Sequence, residues 1–126
     1  MSDKTAIVIF SDPGTGSDEA LGRVFNALLL ATELKEKGRE VAVIFQGTGV
    51  RWAGEIVKPD HAAHKLYKAV EDKVVGACAG CADAFGAADA VRASGIELVK
   101  QKEIPGTAGF VDLSKYLDDG YRLLVF

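Results

Sequence analysis

Two thiols and two imidazoles are the groups in this chain best placed to do chemistry. Cys78 ends an apolar run, Val74 to Cys78, and Cys81 follows three residues on, at the expected opening of a helix. The thiolate is the nucleophile in thiol chemistry. Unpaired amides at a helix N-terminus lower a cysteine's pKa from its free value of about 8.5. Cys-x-x-Cys at a strand-to-helix turn therefore points to thiol chemistry at Cys78 and Cys81, with the amides of the Ala79-to-Ala82 turn stabilising an anionic sulfur. Gly80 lets the backbone approach whatever the sulfur attacks. Asp83, in the same first turn, works against ionisation. The opposing reading is that cysteine is among the most buried residue types and packs as a small hydrophobe.

His61 and His64 form a second pair, three residues apart near the start of another expected helix. His-x2-His beside Cys-x2-Cys supplies the ligand types of a tetrahedral zinc site, and also a histidine base for a cysteine. The plainer alternative is two solvent-facing histidines on the polar helix start Asp60 to Lys65. Arg51 is either an anion holder or a solvated charge. Trp52 beside it reads as a packing or interface residue.

The elements that must position these groups follow from hydropathy. Apolar runs recur at Ala6 to Phe10, Val41 to Phe45, Val74 to Cys78, Ile96 to Val99 and Tyr121 to Phe126. They are continuous rather than alternating, as in parallel strands covered on both faces. Between them, Leu21, Val24, Phe25, Leu28, Leu29 and Thr32 make a helical stripe, capped by Ser17 or Asp18 and stopped by Gly38. A second helix is expected from about Asp60, with Ala62, Leu66, Ala69 and Val70 inward. A third runs from about Ala82 to Ala93, and a short fourth from Leu113 to Leu117. Strand–helix alternation of this kind predicts a three-layer α/β/α domain spanning residues 1–126, with a five-stranded, mostly parallel sheet of flavodoxin-like or Rossmann-like type.

Ligand sites in such sheets lie beyond the carboxyl ends of the strands, so the loops there matter most. The first, Ser11 to Ser17, is glycine-rich, but Glu19 stands where a dinucleotide fingerprint has its third glycine, and no Walker lysine is present. Asp18 and Glu19 would repel a phosphate from that helix start. The longest irregular piece, Gln46 to Pro59, carries Val50, Trp52, Ile56 and Val57, which a subunit contact is expected to bury.

Composition narrows the function class. Of 126 residues, 48% are hydrophobic and 26% charged, and the net charge is −3. That is ordinary globular composition, and the acidic balance argues against nucleic acid and against an anionic membrane as partner. No apolar stretch approaches the roughly 20 residues that span a bilayer, and no leader pattern opens the chain. A cytoplasmic location is expected, where thiols stay reduced.

The layout resembles the DsrE/DsrF-like family, which includes YchN-type proteins and sulfur-relay subunits. The residues that carry the likeness are the opening strand Lys4 to Phe10, the helix ending at Gly38, Val43-Ile44-Phe45-Gln46-Gly47-Thr48-Gly49-Val50, and Val74-Val75-Gly76-Ala77-Cys78. Cys81-Ala82-Asp83-Ala84-Phe85-Gly86 and the closing helix, Gly120 and strand complete it. The resemblance implies a flavodoxin-like fold and homo-oligomers, from dimer to hexamer. It implies a persulfide-accepting cysteine after strand three, here Cys78, that exchanges sulfur with a donor or acceptor protein without a cofactor. Cys81 is extra to the simplest relay pattern and is expected to act as a resolving or shielding thiol.

Overall fold

The computed structural model describes residues 3–126; Met1 and Ser2, the first two residues of the expected domain, lie outside the described residues. Five strands form one sheet: β1 (Lys4–Ile9), β2 (Glu40–Phe45), β3 (Val74–Cys78), β4 (Leu98–Val99) and β5 (Arg122–Val125). Every pairing is parallel, in the order β4-β3-β2-β1-β5. The chain steps outward from β1 to β4, then crosses back to place β5 on the far side of β1. The topological switch point is therefore β1/β5, not the β1/β3 junction of flavodoxin-like sheets.

Among the described residues six α-helices cover the sheet: α1 (Asp18–Glu36), α2 (Ala53–Ile56), α3 (His64–Val70), α4 (Ala79–Ala84), α5 (Ala88–Ser94) and α6 (Leu113–Asp118). Right-handed crossovers put α1 to α5 on one face and α6, on the single return crossover, on the other. Contacts agree: α1 packs on α3, α2 on α5, and α6 on β5. The β-branched residues of β1 and β2 account for the centre of the core. Ile7, Ile9, Val43, Ile44 and Phe45 are wholly buried, against Val24, Leu28 and Ala31 of α1.

The expected first helix is found, capped by Ser17, whose hydroxyl accepts from the Ala20 amide at 3.1 Å. The second begins four residues later than expected, at His64 rather than Asp60, because consecutive turns occupy that stretch. His61 N–H bonds the Lys58 carbonyl, and His64 N–H bonds that of His61. The expected third helix is two. It starts directly off β3 at Ala79 and breaks at Gly86, which adopts φ +67°. The Gln46-to-Pro59 stretch is not irregular: Gly47–Trp52 is a 3-10 helix leading into α2. Of the four apolar side chains expected at a subunit contact, Val50, Trp52 and Ile56 are instead buried within this chain, and Val57 is half-buried.

That 3-10 helix sits tight on β1. A Cβ at Gly49 would lie 2.0 Å from the Ile9 carbonyl oxygen, so no side chain fits there. Gly22, inside α1, has nothing within 4 Å of its missing Cβ. The two glycines should respond oppositely in urea unfolding. Gly49→Ala should lose about 2–3 kcal/mol through overpacking, and Gly22→Ala should gain about 0.5–1 kcal/mol of helix stability.

Candidate functional site

The strand ends fall in register: Ile9 pairs Phe45, Phe45 pairs Ala77, and Cys78 pairs Val99. The loops that follow β1 to β4 are thereby brought to one edge, where they fasten to one another. Asp12 caps the turn Pro13–Thr15 by accepting from Gly14 N–H at 2.8 Å. Arg51 donates to both Asp12 carboxylate oxygens at 3.1 and 3.2 Å and to the Phe85 carbonyl at 3.2 Å, with its guanidinium 5.7 Å from the Phe85 ring centroid. It is a clamp between the first and third loops and has its anion already. Trp52 Nε1 donates to the Ser11 carbonyl at 2.8 Å, which ties the second loop to the first.

Both cysteines are free thiols at this edge. Cys78 holds the N-cap position of α4, and Cys81 sits three residues into the same turn. Their sulfurs are in hydrogen-bond contact, and the Gly47 amide also donates to Cys81. Burial, first, and the contact with Cys78, second, push the Cys81 thiol up to about 11. Cys81 therefore keeps its proton at neutral pH.

Cys78 departs from the expected site. Expected at a solvent-facing helix mouth, it is 0% exposed and belongs to the hydrophobic core; the partly exposed thiol is Cys81. No backbone amide caps the Cys78 side chain. The Gly80 N–H, one of the amides expected to stabilise the sulfur, is bound to the Gly109 carbonyl at 2.6 Å. Gly80 is small for the same reason: its Cβ would lie 2.5 Å from the Phe110 ring and 2.9 Å from that carbonyl oxygen. The backbone it admits belongs to the loop after β4, whose hairpin is closed by the paired Lys102 and Phe110.

The histidines are not brought to the thiols. His64 Nδ1 donates to the Ile56 carbonyl at 2.8 Å, while His61 Nδ1 accepts from the Ala63 amide at 3.0 Å and stands edge-on to Trp52. Among the described residues no group of three or more His, Cys, Asp or Glu is placed to hold a metal ion, so the His61–His64–Cys78–Cys81 zinc set is not assembled. Beyond β1/β5 lies a cavity of about 290 Å³ bordered by Phe10, Ser11, Thr15, Ser17, Arg23 and Val125. Phe10 also packs against Gly47, whose amide faces Cys81, so two residues in contact separate this cavity from the thiol.

Two neighbours of the thiols carry no signal in the sequence. Gln46 follows Phe45 where Cys78 follows Ala77, and its Oε1 is buried without a hydrogen-bond partner. Phe110 lies far along the chain in a polar hairpin, and nothing in its own surroundings there announces a contact with Gly80.

A family model for DsrE/DsrF-like proteins matches residues 3–126. The chain belongs to the DsrE/DsrF-like family. It is 36% identical over 101 residues to the uncharacterized protein MJ0733 of Methanocaldococcus jannaschii, covering 80% of this chain and 78% of the relative. Its fold is also that of the conserved protein of unknown function BT1422 from Bacteroides thetaiotaomicron. There the TM-score is 0.64 and the identity 22%, over 98% of this chain and 95% of the other. Among the described residues no helix is long and apolar enough to cross a membrane.

The asymmetry of the two thiols has a direct readout. Native protein should alkylate at one cysteine, Cys81, with Cys78 protected until unfolding. The Cys81 rate should climb about tenfold per pH unit to beyond pH 10 in the folded chain and level off near 9 in denaturant. Folding raises this pKa. Its contribution to stability is therefore complete below about pH 9 and is lost as pH rises towards 11, so urea midpoints should fall across that interval.

Proposed function

We propose that this protein handles sulfane sulfur and that Cys81 is the thiol that receives it. Family membership is consistent with sulfur relay. The observation that carries the reading is the dithiol at the carboxyl edge of the sheet, with one sulfur partly open to solvent and held by the Gly47 amide. In the transfer, the Cys81 thiolate attacks the outer sulfur of a donor persulfide. A new S–S bond forms at Cys81, the donor's S–S bond breaks, and the donor leaves as a thiolate. The carrier role passes from Cys78 to Cys81 because a donor has no route to a sulfur that is 0% exposed.

The raised pKa slows this uptake without preventing it. A rise from 9.0 to about 11 costs about two decades of thiolate at neutral pH. With a Brønsted coefficient of about 0.4–0.5, the more basic sulfur regains about one decade as a nucleophile. The net penalty is about tenfold. Exposed Phe10, which packs on Gly47, and exposed Phe85, one helical turn from Cys81, flank the thiol as a landing surface for a donor or acceptor protein.

A second reading, a non-catalytic oligomeric module, has its own observation. β5 is an edge strand whose Leu124 and Val125 are 40% and 63% exposed, beside the exposed Leu117 of α6. An apolar edge of this kind is suited to contact with a second copy. Both readings accommodate a homo-oligomer.

Mass spectrometry tests the first reading. After exposure to a low-molecular-weight persulfide, protein that carries Cys81 as its sole thiol should gain about 32 Da, one sulfur atom, and Cys81→Ser should gain nothing. An unmodified Cys81 that still alkylates under the same conditions would refute sulfur uptake. Light scattering tests the second. Val125→Lys should shift an oligomer towards monomer, and a wild type that is strictly monomeric at micromolar concentration would remove the oligomeric module.

A further inference from the structure

We infer that Cys78 is a resolving residue, which discharges the sulfur taken up at Cys81 as hydrogen sulfide and leaves a Cys78–Cys81 disulfide. This rests on Cys81 being the acceptor. The geometry comes from the helix start: Cys78 is the N-cap of α4 and Cys81 the third residue within it. Residues three apart on a helical turn are surface neighbours, and their Cα atoms have the separation that a disulfide bridges. No backbone amide occupies the Cys78 side chain, so it is left facing Cys81.

Burial suits the role. A receiving thiol must meet a donor from outside, whereas a resolving thiol needs to reach only its neighbour. Cys78 is sealed from solvent and shares a turn with the persulfide it would attack. The Cys78 sulfur attacks the inner sulfur of the Cys81 persulfide, the bond between the inner and outer sulfurs breaks, and the outer sulfur departs with the electron pair. The Cys78 proton goes with it, so the products are one disulfide and one H2S. The two cysteine sulfurs are oxidised and the sulfane sulfur is reduced. A second turnover requires a dithiol reductant of the thioredoxin class to reopen the disulfide.

The test is an anaerobic single turnover with a low-molecular-weight persulfide, reading intact mass, free thiols and released sulfide together. Wild type should lose about 2 Da, lose both titratable thiols and release one sulfide per chain. Cys78→Ala, which keeps a small apolar group in the core, should instead hold about 32 Da and release none. Cys78→Ser should match it, should the alanine variant fold poorly. A wild type that retains the added sulfur with no sulfide released would overturn the resolving role while leaving uptake at Cys81 intact. A Cys78→Ala protein that gains no mass, although its Cys81 alkylates, would overturn uptake and the resolving step together.

Discussion

Main chain touches main chain at three places, one between β3 and the approach to β4 and two in the loops at the carboxyl edge, and glycine is what permits each of them. A Cβ at Gly49 would press on the Ile9 carbonyl, one at Gly76 on that of Glu97, and one at Gly80 on that of Gly109. Each contact draws the loop or strand after one β-strand against its neighbour. Arg51 and Trp52 then fasten what the glycines bring near. Without these approaches the sheet could still form from its β-branched runs, but the loops would stand apart and the two sulfurs would lie open to water.

The same crowding explains how the chemistry differs from that of an exposed thiolate at a helix start. A helix N-terminus lowers a thiol's pKa when its amides are free to point at the sulfur. Here the Gly80 amide serves the hairpin, and Cys81 faces another sulfur as well as an amide. Desolvation then outweighs the Gly47 donor, and the thiol is held protonated. The resting dithiol is guarded rather than activated, which suits a protein that waits for a particular donor.

Much of the fold was readable from the chain because it depends on local pattern. Val41 to Phe45 is continuously apolar and is a central strand; the helix expected from the Leu21-to-Thr32 stripe is α1, although it buries Val24, Ala27, Leu28 and Ala31 and leaves Phe25 and Leu29 of that stripe exposed. Boundaries set by turns were harder to read, as at His64 and at Gly86, where backbone hydrogen bonds and a positive φ override composition. Of the site, the Cys-x-x-Cys pair and its strand-to-helix setting were legible. Which thiol is sealed was not, because Cys78 is buried in the core and the turn between the cysteines is covered at Gly80 by Phe110 and Gly109, about thirty residues away and brought there by β4. The apolar loop around Val50 and Trp52 misled for the same reason: its burial partners are α4, the Pro13–Thr15 turn and the strand ends of the same chain, and no residue near it announces that.

The hairpin between Lys102 and Phe110 has a separate energetic status. Residues 101 to 108 are exposed, and the segment is joined to the rest mainly by its own closing pair, Phe110, the Gly109–Gly80 bond and the Gln101 side chain, which bonds Tyr116 and Asp112. Segments with so few buried contacts detach at a fraction of the free energy of global unfolding. In amide hydrogen exchange, the Gly80 N–H would then follow the fluctuation of this flap, while the amides of β1 and β2 report on melting of the whole molecule. How often the dithiol turn is uncovered becomes a property of a few surface residues, free to be tuned by sequence change without loosening the sheet beneath.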